Sequence, residues 1–292
     1  MEHQISVDES AIAPALSNES SAHEVAPDIA YLRCAIVNVA FIGVQGQAGW
    51  VLVDAAIPGM TGRITKAAQE RFGVNSKPSA IVLTHGHFDH VGSLLPLAER
   101  YDVPIYAHPI EFPYLTGEAS YPPADPTVGG GLMALLSPLY PRSPIDVSRC
   151  LRPLPEDGMV PPLPGWKWIL APGHTPGQIA LWRQGDKTLL PADAFITTKQ
   201  ESAYAVATQE PEMHGPPAYF TQDWGAARQS VQSLAALEPE LVVPGHGRAM
   251  KGAQMRAALQ ELARDFDTVA VPDHGRYVAH PTKAEDGSAY DT

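Results

Sequence analysis

The sequence has little that would direct it to a membrane or to nucleic acid. None of its apolar runs reaches about eighteen residues, the length that a membrane-spanning helix requires. The opening MEHQISVDES lacks the basic start and apolar stretch of a secretory signal, so a cytoplasmic location is expected. Lys and Arg total 20 against 32 Asp and Glu, and the formal net charge of −12 offers no basic patch for a phosphate backbone.

Cysteine is also scarce, with two residues in a chain of 292. Cys34 and Cys150 lie far apart, and neither stands in a Cys-x-x-Cys or Cys/His cluster. A disulfide framework and a cysteine-based metal site are therefore not indicated, and we expect reduced, buried thiols. The length and the 45% hydrophobic content suit one large catalytic domain.

Two kinds of apolar pattern alternate along the chain. Short runs rich in β-branched residues, such as WVLVD, AIVLT, WKWIL and LVVP, predict strands. Segments with apolar residues three or four positions apart, such as TGRITKAAQERFG and AQMRAALQELARDF, predict helices. The mixture predicts an α/β fold.

The composition divides the chain into three parts. We expect a flexible N-terminal arm over residues 1–28, a catalytic domain over 29–270 and a trailing tail over 271–292. Within the domain, residues 109–150 carry Pro and Gly throughout together with aromatic residues, which predicts a lid-like insertion or substrate wall. A structural insertion or a dimer contact is the alternative, and the arm and insertion together make a homodimer an expectation.

The most informative motif is THGHFDH, which follows the predicted strand AIVLT and holds four potential metal ligands in six residues. Residues two apart in an extended segment face the same side, so His85 and His87 can bind one ion. Asp89 and His90 fall where the chain turns into the next predicted helix. Those two side chains can therefore bind a second metal ion close to the first.

Three more candidate ligands each follow a predicted strand. They are His174 in APGHTPG, Asp193 in PADA and His246 in PGHG. Side chains at the ends of several strands are brought into one cleft by a layered α/β fold. Imidazole and carboxylate ligands suit zinc best, with iron and manganese as alternatives, and the arrangement predicts two divalent ions.

Through THGHFDH, GHTPG, DAF and PGHG, residues 31–262 resemble the metallo-β-lactamase superfamily. The resemblance implies an αββα sandwich with the metals at one edge. It also implies a role for each candidate: His85, His87 and His174 on the first metal, Asp89, His90 and His246 on the second, and Asp193 as the bridging carboxylate. Asp54, at the end of WVLVD, resembles an acidic residue that supports the ligand loop by hydrogen bonding.

Such a site predicts a hydrolase in which a hydroxide shared by two metal ions attacks a carbonyl or phosphoryl centre. No Ser or Cys nucleophile is then needed. Asp89 and Asp193 are the predicted catalytic carboxylates, and Asp89 is the candidate proton donor to the leaving group.

A lactone or related ester is the predicted substrate, because the chain length, the ligand set and the aromatic, Pro-rich segment resemble quorum-quenching lactonases and their organophosphate-hydrolysing relatives. N-acyl homoserine lactonases carry a tyrosine shortly after the bridging Asp, whereas AFIT follows Asp193 here. A glyoxalase II-like thioesterase, a phosphotriesterase and an iron-dependent persulfide dioxygenase remain alternatives, while Asp193 argues against a β-lactamase. Small-molecule contacts are predicted for Phe112, Tyr114, Phe195, Tyr204 and Tyr219.

Two further histidines are assigned other roles. His108 also follows a predicted strand, VPIYA, but its position beyond the motif favours packing or a lid hinge. His214, beside the Pro-rich GPPAYF, is a minor candidate for the substrate pocket.

Overall fold

The computed structural model describes residues 4–16 and 21–291. Its strands are β1 (Ile5–Ser6), β2 (His23–Ala26), β3 (Ile29–Cys34), β4 (Val37–Ile42), β5 (Val51–Val53), β6 (Ala80–Val82), β7 (Ile105–Ala107), β8 (Leu151–Pro153), β9 (Trp166–Leu170), β10 (Ile179–Arg183), β11 (Thr188–Ala192), β12 (Glu212–Met213), β13 (Leu241–Pro244) and β14 (Met250–Lys251). Its α-helices are α1 (Thr61–Phe72), α2 (Phe88–Val91), α3 (Leu94–Tyr101), α4 (Phe112–Leu115), α5 (Leu132–Leu136), α6 (Ala203–Thr208), α7 (Trp224–Ala235), α8 (Gly252–Val269) and α9 (Arg276–Ala279).

The described residues form two compact units. The N unit contains residues 14–16, 21–118 and 144–164, and the C unit contains residues 4–13, 119–143 and 165–291. Each unit has its own sheet, with strand order β2-β3-β4-β5-β6-β7-β8 in the N unit and β14-β13-β11-β10-β9 in the C unit. The segments of these two units interleave along the chain through residues 29–270, over which one catalytic domain is predicted.

In the N unit, the sheet changes from antiparallel to parallel at β5. Strands β2 to β5 pair antiparallel, and β5, β6, β7 and β8 pair parallel. The parallel strands are short, fully apolar runs such as Val51–Val53 and Ala80–Val82, as strands covered on both faces require. Their carboxyl ends lie at one edge of the sheet, which is where the polar residues after each strand are delivered.

The core of the N unit is centred on Trp50. Its ring stacks on Phe72 of α1 with centroids 4.7 Å apart and packs at a tilt on Phe41 of β4 at 5.9 Å. Its indole N–H donates to Ser76 Oγ at 2.7 Å, so the polar atom of a fully buried side chain is satisfied. This packing fixes α1 against the sheet that carries the polar edge.

In the C unit, β9, β11 and β13 run in one direction. Strand β10 pairs antiparallel with both β9 and β11, and β11 pairs parallel with β13. The carboxyl ends of these three strands therefore share one edge. Helices α7 and α8 pack on each other through residues that include Trp224 and Phe266, whose rings lie 6.4 Å apart.

The expectation of a flexible arm over residues 1–28 is wrong for the described part. Ile5 and Ser6 pair with Met213 and Glu212, and β2 extends the N-unit sheet. Both strands are too short for a recognisable alternation, and their partners lie far along the chain, so the local sequence gave no signal. Residues 1–3 and 17–20 of the expected arm lie outside the described residues.

The expected trailing tail is held at particular residues, although most of residues 271–291 are exposed or half-buried. Tyr277 of α9 is 5% exposed, and its hydroxyl donates to the carbonyl of Pro123. The segment 109–150 is not one insertion either, because residues 119–143 belong to the C unit and the flanking residues belong to the N unit. Over the described residues, the structure has no helix with the length and apolar character to cross a membrane.

Candidate metal centre

Three consecutive parallel strands of the N unit end beside one another, and each delivers a polar residue. Asp54 follows β5, the histidine loop (residues 84–90) follows β6, and His108 follows β7. Asp54 has φ of +63°, a left-handed conformation that Asp tolerates better than most residues. The sharp turn after β5 returns its carboxylate to the neighbouring strand end.

Asp54 holds the start of the histidine loop by two hydrogen bonds. The backbone N–H of Thr84 donates to Asp54 Oδ1, and the Thr84 hydroxyl donates to Oδ2, both at 2.8 Å. Because that hydroxyl has given its hydrogen to Asp54, it faces His85 Nδ1, 3.1 Å away, as an acceptor. The proton of His85 then resides on Nδ1, and its Nε2 is left with a lone pair.

The same carboxylate orients His90, whose Nδ1 lies 2.8 Å from Asp54 Oδ2. All three side chains are buried, with His85 and His90 at 0% exposure and Asp54 at 4%. Donation from Nδ1 leaves His90 Nε2 as the available nitrogen. Asp54 thus sets the tautomer of two histidines, directly for His90 and through Thr84 for His85.

The separation between His85 and His87 suits two ligands of one ion. His85 Nε2 lies 3.1 Å from His87 Nδ1, and the ring centroids of the pair are 4.8 Å apart. Two imidazole nitrogens bound tetrahedrally at about 2.0–2.1 Å from zinc would be roughly 3.3 Å apart. The backbone at His87 is extended, and the side chains of His85 and His87 lie close together, as their spacing in the sequence predicts.

The second pair of the motif lies in the first turn of α2. Asp89 and His90 are buried, and an oxygen of Asp89 lies within 4.8 Å of a ring nitrogen of His90. The ring centroid of His90 is 4.0 Å from that of His85. The helix begins immediately after His87, and this change of direction brings the four candidate ligands of residues 85–90 to one region of the N unit.

The C unit brings together the other three candidates. Asp193 Oδ2 lies 3.0 Å from His246 Nε2 and 3.5 Å from His174 Nε2. All three residues are at most 2% exposed. They follow β11, β13 and β9, the strands whose carboxyl ends share an edge, and a register shift near Ala192 turns the chain at Asp193.

Two polar residues that the sequence motifs did not single out support this C-unit cluster. Gln178 Oε1 accepts the backbone N–H of Asp193 at 3.3 Å, while its Nε2 donates to the carbonyl of Ala171. The Thr221 hydroxyl donates to the carbonyl of Pro217 and lies 3.4 Å from His174 Nδ1. Gln178 directly follows the GHTPG motif, so its position in the sequence is a signal for a role near His174. Thr221 lies far from His174 in the sequence, and no motif points to it.

The substrate contacts expected from the sequence fall into different environments. Phe112 packs against the N-unit core, and Tyr114, Phe195 and Tyr219 are at most 3% exposed. Tyr204 is 71% exposed and lines a cavity of about 740 Å³ in the C unit. That volume is within the usual range for small-molecule sites.

The minor candidate His214 lines the same cavity. Its Nε2 lies 3.4 Å from Glu201 Oε2, and its Nδ1 lies 3.0 Å from the carbonyl oxygen of Gly215. Of the residues considered for substrate contact, Tyr204 and His214 are thus the ones that the structure brings to one cavity.

The comparisons with known proteins agree with this architecture. Residues 32–246 match the model of the metallo-beta-lactamase superfamily. The chain belongs to this superfamily. It is 47% identical over 209 residues to the probable metallo-hydrolase YflN of Bacillus subtilis (strain 168), covering 71% of this chain and 79% of that protein.

Solved structures show the same fold. A β-lactamase domain protein from Burkholderia ambifaria has a TM-score of 0.59 at 20% identity, covering 91% of this chain and 79% of its own. TTHA1623 in a di-iron-bound form has a TM-score of 0.50 at 26% identity, covering 80% of this chain and 96% of its own. The predicted superfamily and the α/β fold class are therefore confirmed.

Proposed function

We propose that this superfamily member is a hydrolase with two divalent metal ions and that it opens a lactone or a closely related ester. Membership of the superfamily and the 47% identity to a probable metallo-hydrolase support the coarser part, a metal-dependent hydrolase. The ligands that we assign are the seven residues of the sequence motifs: His85, His87, Asp89, His90, His174, Asp193 and His246.

The observation that carries the proposal is the position of Asp193. One oxygen of its carboxylate lies 3.0 and 3.5 Å from nitrogens of two histidines that come from different strand ends. Three such groups buried together suit a cation, because burial of a carboxylate is costly without a compensating charge. The imidazole and carboxylate donors fit divalent transition metals, with zinc favoured and iron or manganese accommodated.

When bound, two such ions supply Lewis acidity and an activated water at neutral pH. The chain's own residues have separate tasks. Asp54 keeps His85 and His90 in the tautomers whose Nε2 atoms carry lone pairs. Gln178 fixes the backbone at Asp193. We assign Asp89, buried at the start of α2, to protonation of the leaving group.

For the non-reacting part of the substrate, we propose the C-unit cavity that Tyr204 lines. Its lining includes the apolar side chains of Val128, Ala205 and Ala270, and its size suits the acyl portion of a small ester. The three buried aromatic residues Tyr114, Phe195 and Tyr219 are better explained as packing residues.

A second candidate is an iron-dependent oxidation, such as that of a persulfide. It is favoured by one comparison, since TTHA1623 has been solved in a di-iron-bound form. This candidate uses the same ligands and differs in metal content and in oxygen consumption.

The test is acid release, followed with a pH indicator, from zinc-loaded protein on lactones, aryl esters, glutathione thioesters, phosphotriesters and β-lactams. We expect lactone or ester turnover that is lost in Asp193→Ala. Asp267→Ala is the matched control, because Asp267 is an exposed carboxylate of the same unit that pairs with Arg228 on the surface. Turnover of thioesters or phosphotriesters alone would replace the substrate class, and silence across the panel together with oxygen uptake by the iron form would favour the second candidate.

A further inference from the structure

A buried carboxylate that no sequence motif identified contacts the histidine loop. Glu111 is 0% exposed, and its Oε2 accepts the backbone N–H of Gly86 at 3.0 Å. Gly86 stands between His85 and His87, the two residues whose nitrogens lie 3.1 Å apart. Glu111 therefore contacts the first of the two peptide units that link these histidines, the one between His85 and Gly86.

The segment that carries Glu111 is itself firmly held. After β7, the His108 side chain accepts the N–H of Ile110 and begins a 3₁₀ turn over Pro109–Glu111. The turn continues directly into α4, where Tyr114 and Leu115 are at most 1% exposed. Glu111 thus projects from an anchored turn rather than from a loose loop.

A carboxylate at this position selects one orientation of the peptide at Gly86. An ionised carboxylate can only accept hydrogen bonds, so the N–H of Gly86 must point toward Glu111 and a carbonyl there would be repelled. Glycine has the widest choice of backbone conformations, and the two histidines on either side would otherwise follow its motion.

We propose that Glu111 is a positioning residue: through the amide of Gly86, it holds His85 and His87 in the relative geometry that binds a metal ion. The inference rests on the proposed function in one respect, that these histidines are ligands. It goes beyond the motifs because the residue that would hold the histidine loop in shape lies outside them, in the 3₁₀ turn that follows the neighbouring strand β7. Asp54 orients the rings, and Glu111 orients the backbone between them.

The test is competition for zinc between a chromophoric chelator and the metal-free full-length protein. Glu111→Ala is expected to weaken zinc binding about 10–100-fold, the usual cost of losing a group that orients a ligand. Glu111→Gln retains an oxygen that can accept from Gly86, so it should restore most of the affinity. At saturating zinc, Glu111→Ala should lower kcat more than it changes KM.

Glu24→Ala is the control matched to Glu111→Ala. Glu24 is a largely buried carboxylate of the same unit that lies 3.5 Å from Arg71, away from the histidine loop. Its loss should lower the melting temperature without changing zinc affinity. A purely structural Glu111 would behave in the same way, with a lower melting temperature and wild-type zinc affinity, and that result would overturn the proposal.

Each of the other possible results also supports or overturns the role proposed for Glu111. If Glu111→Ala does not fold, Glu111→Met takes its place, because methionine has a similar volume but no oxygen that can accept from Gly86. A folded Met variant that binds zinc about 10–100-fold more weakly supports the proposal, and wild-type affinity in it would overturn the proposal. A wild-type protein that binds zinc but hydrolyses nothing would refute the proposed function and leave the positioning role testable by zinc affinity. A wild-type protein that binds no zinc would overturn both.

Discussion

Asp54 Oδ2 lies 2.8 Å from Nδ1 of His90, and the same carboxylate binds both the backbone and the hydroxyl of Thr84. One acidic side chain directly after β5 therefore fixes both ends of the histidine loop that follows β6. The contact depends on the parallel pairing of these strands, because only parallel neighbours bring their carboxyl ends to the same edge.

The first prediction concerns Asp54→Asn. Asparagine has nearly the same shape and also tolerates the left-handed backbone at this position, where φ is +63°. It replaces one of the acceptor oxygens by a donor, so it cannot bind Thr84 and His90 as Asp does. We expect zinc affinity to fall about 10–100-fold, measured by chelator competition. Unchanged affinity would show that the tautomers of His85 and His90 do not depend on Asp54.

The second prediction concerns Gly173, which precedes His174. Its φ is +130°, and a Cβ atom there would lie 2.3 Å from the backbone nitrogen of Ala227. The same Cβ atom would lie 2.4 Å from the Cα of Ala227, and because both of these atoms belong to the backbone, the chain must shift. Gly173→Ala should therefore destabilise the protein by about 1–3 kcal/mol and weaken metal binding through displacement of His174.

The matched control for Gly173→Ala is Gly185→Ala. Gly185 lies in the turn between β10 and β11, and nothing lies within 4 Å of the position that its Cβ would take. Its substitution should change stability by no more than about 0.5 kcal/mol. Chemical denaturation of both variants measures the difference, and equal midpoints would contradict the steric argument.

Much of the candidate site could be predicted because its residues follow apolar strands. Asp193 stands directly after β11, and His246 is separated from the end of β13 by one residue; the runs TLLPA and LVVP indicate these strand ends. The α/β pattern was visible for the same reason: local periodicity reports which face of an element is buried. Metal binding by these residues stays a prediction until it is measured.

The parts that could not be predicted depend on contacts between distant segments. Nothing in PIEF indicates that Glu111 reaches Gly86, since the contact requires β6 and β7 to be neighbours. The pairing of β1 with β12 joins residues about two hundred positions apart, so no local pattern in residues 4–13 indicates that this segment contributes a strand. A signal for Glu111 existed only in its type, an acidic residue inside an otherwise apolar segment.

The third prediction separates the two cysteines. Burial raises the pKa of the Cys34 thiol to about 11, so at pH 8 only about 0.1% of it is the reactive thiolate. Cys150 is half-buried, and both are free thiols. Iodoacetamide should therefore add one group to the native protein and two in denaturant, as measured by mass spectrometry. Native Cys150→Ser should remain unmodified, and rapid labelling of that variant would contradict the burial of Cys34.

The fourth prediction is a pH dependence of stability at His108. Burial lowers the pKa of its imidazole below the ordinary value of 6.5, and its Nδ1 must be unprotonated to accept the N–H of Ile110. The unfolded chain therefore binds a proton more readily than the folded chain does. The stabilising contribution is complete above about pH 6.5 and is lost as the pH falls through the lowered pKa.

His108→Asn isolates this contribution, because the Asn side-chain oxygen can cap the same 3₁₀ turn and does not titrate. Denaturation of wild type and variant should be compared from pH 8 to pH 5. The wild type should lose stability relative to the variant as the pH falls, since other carboxylates and histidines titrate equally in both. A stability difference between wild type and variant that stays constant with pH would mean that His108 is protonated to the same extent in the folded and unfolded chains. The turn that carries Glu111 would then not depend on a neutral His108 imidazole.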